Sequence, residues 1–238
     1  MIGTLLNVLG VILGSLLGVL LGDRFPERFR QTVMAGLGLF TVGFGLQMFL
    51  STKNALVVLG SVLIGAILGE WMQIESRLEK LAAIVSRRFS SPDLDQSERF
   101  VRGFLSAGVL FCVGPMAILG SIRDGLTGDY SILALKAVLD AVTSLAFASS
   151  LGIGVLFSAG LVFLYQGGLS LAAAQAQAII SPAMMTEMTA AGGVILVGAG
   201  ISSLLEIKKI RVANLLPALF LAPLGVYVLT LFGVSLGK

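Results

Sequence analysis

Apolar runs of about twenty residues, separated by short polar breaks, recur along the whole chain. A helix needs about 20 apolar residues to cross a bilayer core, and that ruler lays out the spans. The first runs from Ile2 to Gly22, the second from Thr32 to Leu50 and the third from Ala55 to Met72. A fourth covers Phe100 to Ile122, and the last two cover Ala183 to Leu205 and Asn214 to Leu236. Between them, Ser131 to Leu169 is too long for one ordinary crossing. Ser149, Ser150, Gly152 and Gly154 permit a turn in its middle.

The stretch 74–97 has a different pattern. Ile74, Leu78, Leu81, Val85 and Phe89 recur every three or four residues, while Glu75, Arg77, Glu79, Lys80, Arg87 and Arg88 take the other positions. This predicts an amphipathic helix lying on the membrane surface, closed by the breaker Ser90-Ser91-Pro92-Asp93.

Basic residues orient the spans, because short cytoplasmic loops are rich in Lys and Arg. Arg24, Arg28 and Arg30 follow the first span, only Lys53 follows the second, and Arg77, Lys80, Arg87, Arg88, Arg99 and Arg102 flank the connector. The connector is therefore expected in the cytoplasm and the N-terminus outside. Lys208, Lys209 and Arg211 should also be cytoplasmic, which requires two crossings between Ser131 and Leu169. The expected fold is an all-α polytopic bundle of eight spans in a single transmembrane domain, residues 1–238. Seven follows instead if one arm is re-entrant or the long segment is a single helix. No basic residue precedes the first apolar run, so that run is expected to be a retained span rather than a cleaved signal.

A weak internal repeat favours eight. Leu6-Asn7-Val8-Leu9 resembles Leu135-Lys136-Ala137-Val138, Gly36-Leu37-Gly38-Leu39 resembles Gly152-Ile153-Gly154-Val155, and Leu63-Ile64-Gly65-Ala66 resembles Leu196-Val197-Gly198-Ala199. Halves at 1–122 and 131–236 would be parallel repeats, since four crossings return the chain to its starting side. Resemblance by shared Gly- and Leu-rich composition is the competing explanation.

Composition narrows the function classes. The chain has 238 residues, 56% hydrophobic and 12% charged. Soluble domains carry about 25% charged residues, so no soluble domain of any size is expected. Thirty glycines include Gly10, Gly14, Gly18 and Gly22, a spacing that lets helix backbones approach closely in lipid. With no His and only Cys112, a His/Cys zinc site, haem, iron–sulfur cluster or internal disulfide is excluded, and no cofactor is expected. A net charge of +3, mostly in loops, makes nucleic acid an unexpected partner. There is no phosphate-binding Gly-Lys-Ser/Thr loop, no His general base and no second intramembrane Asp beside Asp140, so no enzyme is expected.

The stretch Gly114-Pro115-Met116-Ala117-Ile118-Leu119-Gly120-Ser121-Ile122-Arg123-Asp124-Gly125-Leu126, followed by Gly128-Asp129, Lys136 and Asp140, resembles a bacterial family of multi-pass membrane proteins catalogued as domain of unknown function 554. The resemblance covers nearly the whole chain. It implies residence in the bacterial inner membrane and a transporter-like build, with no assigned substrate and no catalytic residues to carry over.

Ionisable groups within a span cost about 2.5–3.5 kcal/mol each at the helix centre. Lys136 and Asp140, four apart on one helical face, form the clearest case: a substrate or proton site, or a structural pin. Thr143 and Ser144 one turn on would extend the polar face, and Asn7 takes the place of Lys136 in the repeat. Gly114-Pro115 interrupts the fourth span, and Leu216-Pro217 and Ala222-Pro223 would do the same in the last. Asn214 is a candidate site or a cap of its own helix. Arg123, Asp124 and Asp129 fall in an outer turn, either an entrance or a solvated loop with an internal salt bridge. Glu187 and Glu70 read as interfacial, with Glu187 the better functional candidate, and Gln47 and Gln166 as helix-bonding amides.

These residues point to a secondary transporter or channel-like permease for a small polar or ionic solute. Its path would run near the interface of the two four-span halves, lined by Lys136 and Asp140, with Asn7 and Gly114-Pro115 opposite. The alternative is a scaffold, sensor or accessory subunit that uses Gly-rich faces to bind partners. The lipid bilayer is the medium in both readings, and a second copy of the chain is a partner either would accommodate.

Overall fold

The computed structural model describes residues 1–22, 26–89, 94–175 and 180–232, and all its regular elements among these are helices. They are α1 (Ile2–Gly22), α2 (Glu27–Phe49), α3 (Ala55–Met72), α4 (Ile74–Phe89), α5 (Leu94–Val113), α6 (Pro115–Thr127), α7 (Ser131–Leu151) and α8 (Gly154–Leu171). After them come α9 (Pro182–Ala199), which continues as a π turn over Gly200–Leu204, a 3₁₀ turn at Val212–Leu215, and α10 (Ala218–Leu231). The breaker at 90–93, Arg24 and the tail beyond 232 lie outside the described residues.

Local signals set several boundaries. The Asn54 side chain accepts from the backbone N–H groups of Leu56 and Val57 and starts α3; the Ser181 hydroxyl accepts from Met184 N–H and starts α9. The long segment divides where expected. Gly152 has φ 77°, a conformation that L side chains rarely adopt, and it turns the chain between α7 and α8. The surface-helix pattern at 74–89 appears as α4. The last span is adjusted: Pro217 ends the 3₁₀ turn and precedes α10, but Pro223 lies inside α10 without interrupting it. The expected break at Ala222-Pro223 does not occur.

The fourth span is not one helix. It is α5 and α6, bent by 61° at Gly114-Pro115. Seven other helices are each long and apolar enough to cross a membrane, and the bent pair makes an eighth crossing if it is one span.

The helices form two compact units, one of Met1–Leu37 with Leu78–Ala176 and one of Gly38–Arg77 with Gln177–Lys238. In unit 1, α1 and α7 run side by side in the same direction. A Cβ at Gly10 would sit 2.6 Å from the Ala137 carbonyl, and those at Gly14, Gly18 and Gly22 would be closer still to the carbonyls of Ala141, Leu145 and Ser149. Only glycine allows that approach, which explains the four-residue glycine spacing. The opposite face of α1 presents Leu5, Leu9, Leu13, Leu16 and Leu20 outward, as a lipid-facing surface requires. In unit 2, α3 packs on α10 and α9, with Val58, Ala190, Ala191, Ala218 and Ala222 at the centre.

Chain parity shows whether α5–α6 crosses. In unit 2, Arg211 pairs with Glu70 at the end of α3, so an even number of crossings separates those residues. Three continuous spans, α7, α8 and α9, lie between them, and the bent pair must supply the fourth. Unit 1 gives the same answer independently. Gly3 lies against Tyr130 and Leu133 while Gly22 lies against Ser149, so α1 and α7 start on one side. Spans α1, α2 and α3 intervene, and again a fourth crossing is needed. The eight-span arrangement satisfies both.

Candidate functional site

The break between α5 and α6 follows closely on Phe111 and Cys112, the α5 residues that lie near the charged pair of α7. Pro115 at the first turn of α6 lacks an N–H, and Gly114 is extended at φ −70°, ψ 147°. The last carbonyls of α5 have no partner further along their own helix. Just before the break, the Phe111 ring lies 5.7 Å from Lys136 Nζ, at the range of a cation–π contact. Cys112 is within electrostatic reach of both Lys136 and Asp140, and Tyr165 on α8 is within reach of Cys112.

Lys136 donates to Asp140 across one turn of α7, and both side chains are buried. Asn7 on α1 is near enough to Asp140 to act on its carboxyl, although both its amide atoms are buried with no partner at hydrogen-bonding distance. Gln166 on α8 is in the same condition, and the next residue, Gly167, lies against Met1. The hydroxyls of Thr4, Ser15, Ser106 and Ser144 are also buried and unpartnered. A buried polar group left so costs about 1–3 kcal/mol, and unit 1 holds a row of them around an ion pair.

Thr143 does not join the group: its hydroxyl donates to the Leu139 carbonyl of its own helix. Ser144, one residue on, does turn inward. Asp124 is not in a solvated outer loop. It is buried near the end of α6, accepts from Gly3 N–H at 3.1 Å and lies 3.1 Å from the Met1 amine. The turn itself is closed as the blander reading had it, by Arg123 and Asp129 at 3.2 Å. Hydrogen bonds from Ser131 hold the exposed Asp129 carboxyl below the usual carboxylate range, with Arg123 adding to them.

Two other candidates lie in unit 2 and bond fully. Glu187 is 1% exposed, so it does not snorkel outward. It accepts from the Thr52 hydroxyl at 2.5 Å, Lys53 N–H at 2.7 Å and Asn54 N–H at 3.0 Å, clasping the turn between α2 and α3. Asn214 caps a helix other than its own. It accepts from Glu75 N–H at 2.8 Å at the start of α4 and donates to Glu70 at 2.7 Å, while the Glu75 carboxylate accepts from Ala213 N–H at 2.9 Å. The structure thus brings together Lys136, Asp140 and Asn7 near Phe111 and Cys112 at the end of α5, with Ser144 one turn further along α7. It leaves Thr143, Asn214 and Glu187 out.

Thr4, Ser15 and Gln166 complete the polar row without having been singled out as site residues. Thr4, Asn7 and Ser15 recur at helical spacing on the buried face of α1, a stripe the abundant glycines obscured. Among the described residues, no three His, Cys, Asp or Glu side chains gather as metal ligands would.

The fold and the site together define a polytopic helical membrane protein with a polar interior in one of its two units. It belongs to the family described as Protein of unknown function (DUF554), which matches residues 2–227. The chain is 31% identical over 238 residues to the uncharacterized membrane protein YdfK of Bacillus subtilis (strain 168), covering 98% of this chain and 99% of that one. It is 35% identical over 223 residues to the uncharacterized protein YqgA of Escherichia coli (strain K12), covering 93% and 94%. No solved structure matches it.

Proposed function

We propose that this protein is a secondary transporter or channel-like permease for a small polar or ionic solute, acting in the bacterial inner (cytoplasmic) membrane without catalysis or a bound cofactor. One observation carries the reading: a buried Lys136–Asp140 pair stands in a unit rich in unpartnered polar side chains, near the end of a helix that breaks at Gly114-Pro115. A purely structural ion pair gains most when its neighbours bond to it. Here Asn7, Ser15 and Ser144 have no partners, and a passing solute or water would supply them. Unit 1 also draws α1 and α5–α6 from the first proposed repeat half and α7 and α8 from the second. The shared direction of α1 and α7 is what parallel halves at 1–122 and 131–236 require.

Purified protein in liposomes tests this with a panel of protons, K⁺, Na⁺, Cl⁻ and urea. At least one flux should exceed that of empty vesicles and return to their level in K136M/D140L. No flux above empty vesicles, or a double variant that conducts like wild type, overturns the proposal.

The scaffold reading draws on a different observation. Gly36, Gly43, Gly60 and Gly160 have nothing packed against them, as on faces that close only when a second copy binds. If that is their role, Gly43→Leu should dissociate an oligomer that wild type forms in detergent.

A further inference from the structure

We propose that the species moved through unit 1 is the proton, relayed along a file of polar groups from Thr4 past the Lys136–Asp140 pair to Ser144. This rests on the permease reading and names its substrate.

The register of α1 on α7 supplies the geometry. Gly10 packs on Ala137, Gly14 on Ala141, Gly18 on Leu145 and Gly22 on Ser149. Lys136 is therefore level with Leu9, Asp140 with Leu13 and Ser144 with Leu17. At about 1.5 Å of rise per residue, the file climbs about 4.5 Å from Thr4 to Asn7 and about 3 Å from Asn7 to Lys136. Lys136 bonds Asp140 directly, Ser15 lies about 3 Å beyond Asp140 in height, and Ser144 about 3 Å beyond Ser15. Two hydrogen bonds through one water span about 5.5 Å, so in height every unbonded step up to Ser144 falls within the reach of a single bridging water. Gln166 stands at the Met1 end, where its free amide offers a second entry.

The same groups argue against other cargo. The Lys136–Asp140 pair is neutral as a whole and bonded to itself, so a metal cation or an anion must break it to gain a partner. A neutral solute gains nothing from a charged pair already bonded to itself. A proton needs only a continuous chain of donors and acceptors. It arrives through water beside Asn7 and adds to a carboxylate oxygen of Asp140, which loosens the bond to Lys136. Asp140 then releases a proton toward Ser15 and Ser144, and the carboxylate pairs again with the ammonium. One proton is moved and nothing is consumed. Cys112, with Tyr165 behind it, is the other titratable side chain near the pair. Past Ser144 the next hydroxyl is that of Ser149, about 7.5 Å further by helical rise and donating to the Ala146 carbonyl of its own helix, so the file ends at Ser144.

The test uses wild-type protein in liposomes loaded with pyranine, under a K⁺ gradient made into a potential by valinomycin. Internal pH should change faster than in protein-free vesicles. The rate should fall at least tenfold in Asp140→Asn and in K136M/D140L, fall less in Asn7→Leu, and hold in the lipid-facing Leu20→Ala. Wild-type vesicles no faster than protein-free ones, or Asp140→Asn at the wild-type rate, overturn the proposal. If protons are silent while K⁺, Na⁺, Cl⁻ or urea flux in the same preparation depends on the pair, the proton assignment fails and the permease reading stands. If every arm is silent, both fail.

Discussion

Asn7 in unit 1 and Asn214 in unit 2 are both buried amides in the same chain, but Asn7 bonds nothing while Asn214 holds two partners. The contrast extends to their surroundings. The buried carboxylate of Glu187 in unit 2 receives three donors, and Glu75 and Asn214 cap one another's segments. Among the described residues of unit 2, only the Thr41 hydroxyl is buried without a partner. Unit 1 leaves Thr4, Asn7, Ser15, Ser106, Ser144, Ser150 and Gln166 so. With no water in the bilayer core, polar groups must be satisfied internally unless they line a wet path. Unit 2 follows the first rule, and the proposed permease reading makes unit 1 its exception.

That contrast is open to attack at several points. The largest effect is expected from Gly14→Leu, because a side chain there meets the Ala141 carbonyl directly. It should abolish the monodisperse peak of the protein in fluorescence-detected gel filtration, while Gly36→Leu, at an open position, leaves the peak intact. Next is the ion pair. Lys136→Met strands a buried carboxylate and should cost about 3–5 kcal/mol of stability. K136M/D140L, which removes both charges, should return to within about 1 kcal/mol of wild type in thermal unfolding without recovering flux. A pin that serves structure alone would not separate the two readouts.

The two asparagines give a smaller and sharper comparison. Asn214→Leu abandons Glu75 N–H and Glu70 and should destabilise by about 2 kcal/mol, whereas Asn7→Leu removes an unpaired amide and should be neutral or stabilising. Equal losses would mean that Asn7 is bonded after all. The smallest effect concerns the exposed Asp129. Its carboxyl pKa is lowered by Ser131, so its contribution is complete above the ordinary carboxylate pKa and is lost as pH falls through the lowered value. Asp129→Asn should therefore flatten only the acid side of a melting-temperature profile.

The span pattern was legible because the bilayer imposes a length on every crossing, and Gly152 marked the one turn hidden inside an apolar run. The broken fourth span was half legible: Pro115 announced a disruption, but its 61° bend depends on packing that sequence spacing does not encode. Lys136 and Asp140 stood out because charge is rare in a span. Glu187 and Asn214 looked like equally good site residues, since their partners lie 133 to 144 positions away in the chain. Asp124 failed for a related reason, as its donor Gly3 is 121 positions distant. Whether a polar residue is bonded or bare is decided by such long-range neighbours.

The most direct test of the contrast between the units is water access. In a Cys112→Ala background, Asn7→Cys and Ala190→Cys place thiols at positions that are each fully buried, one in unit 1 and one in unit 2. A small charged methanethiosulfonate reagent applied to membranes should modify the thiol at position 7 and leave that at 190 untouched. Equal labelling, or none at position 7, would contradict a wet path through unit 1.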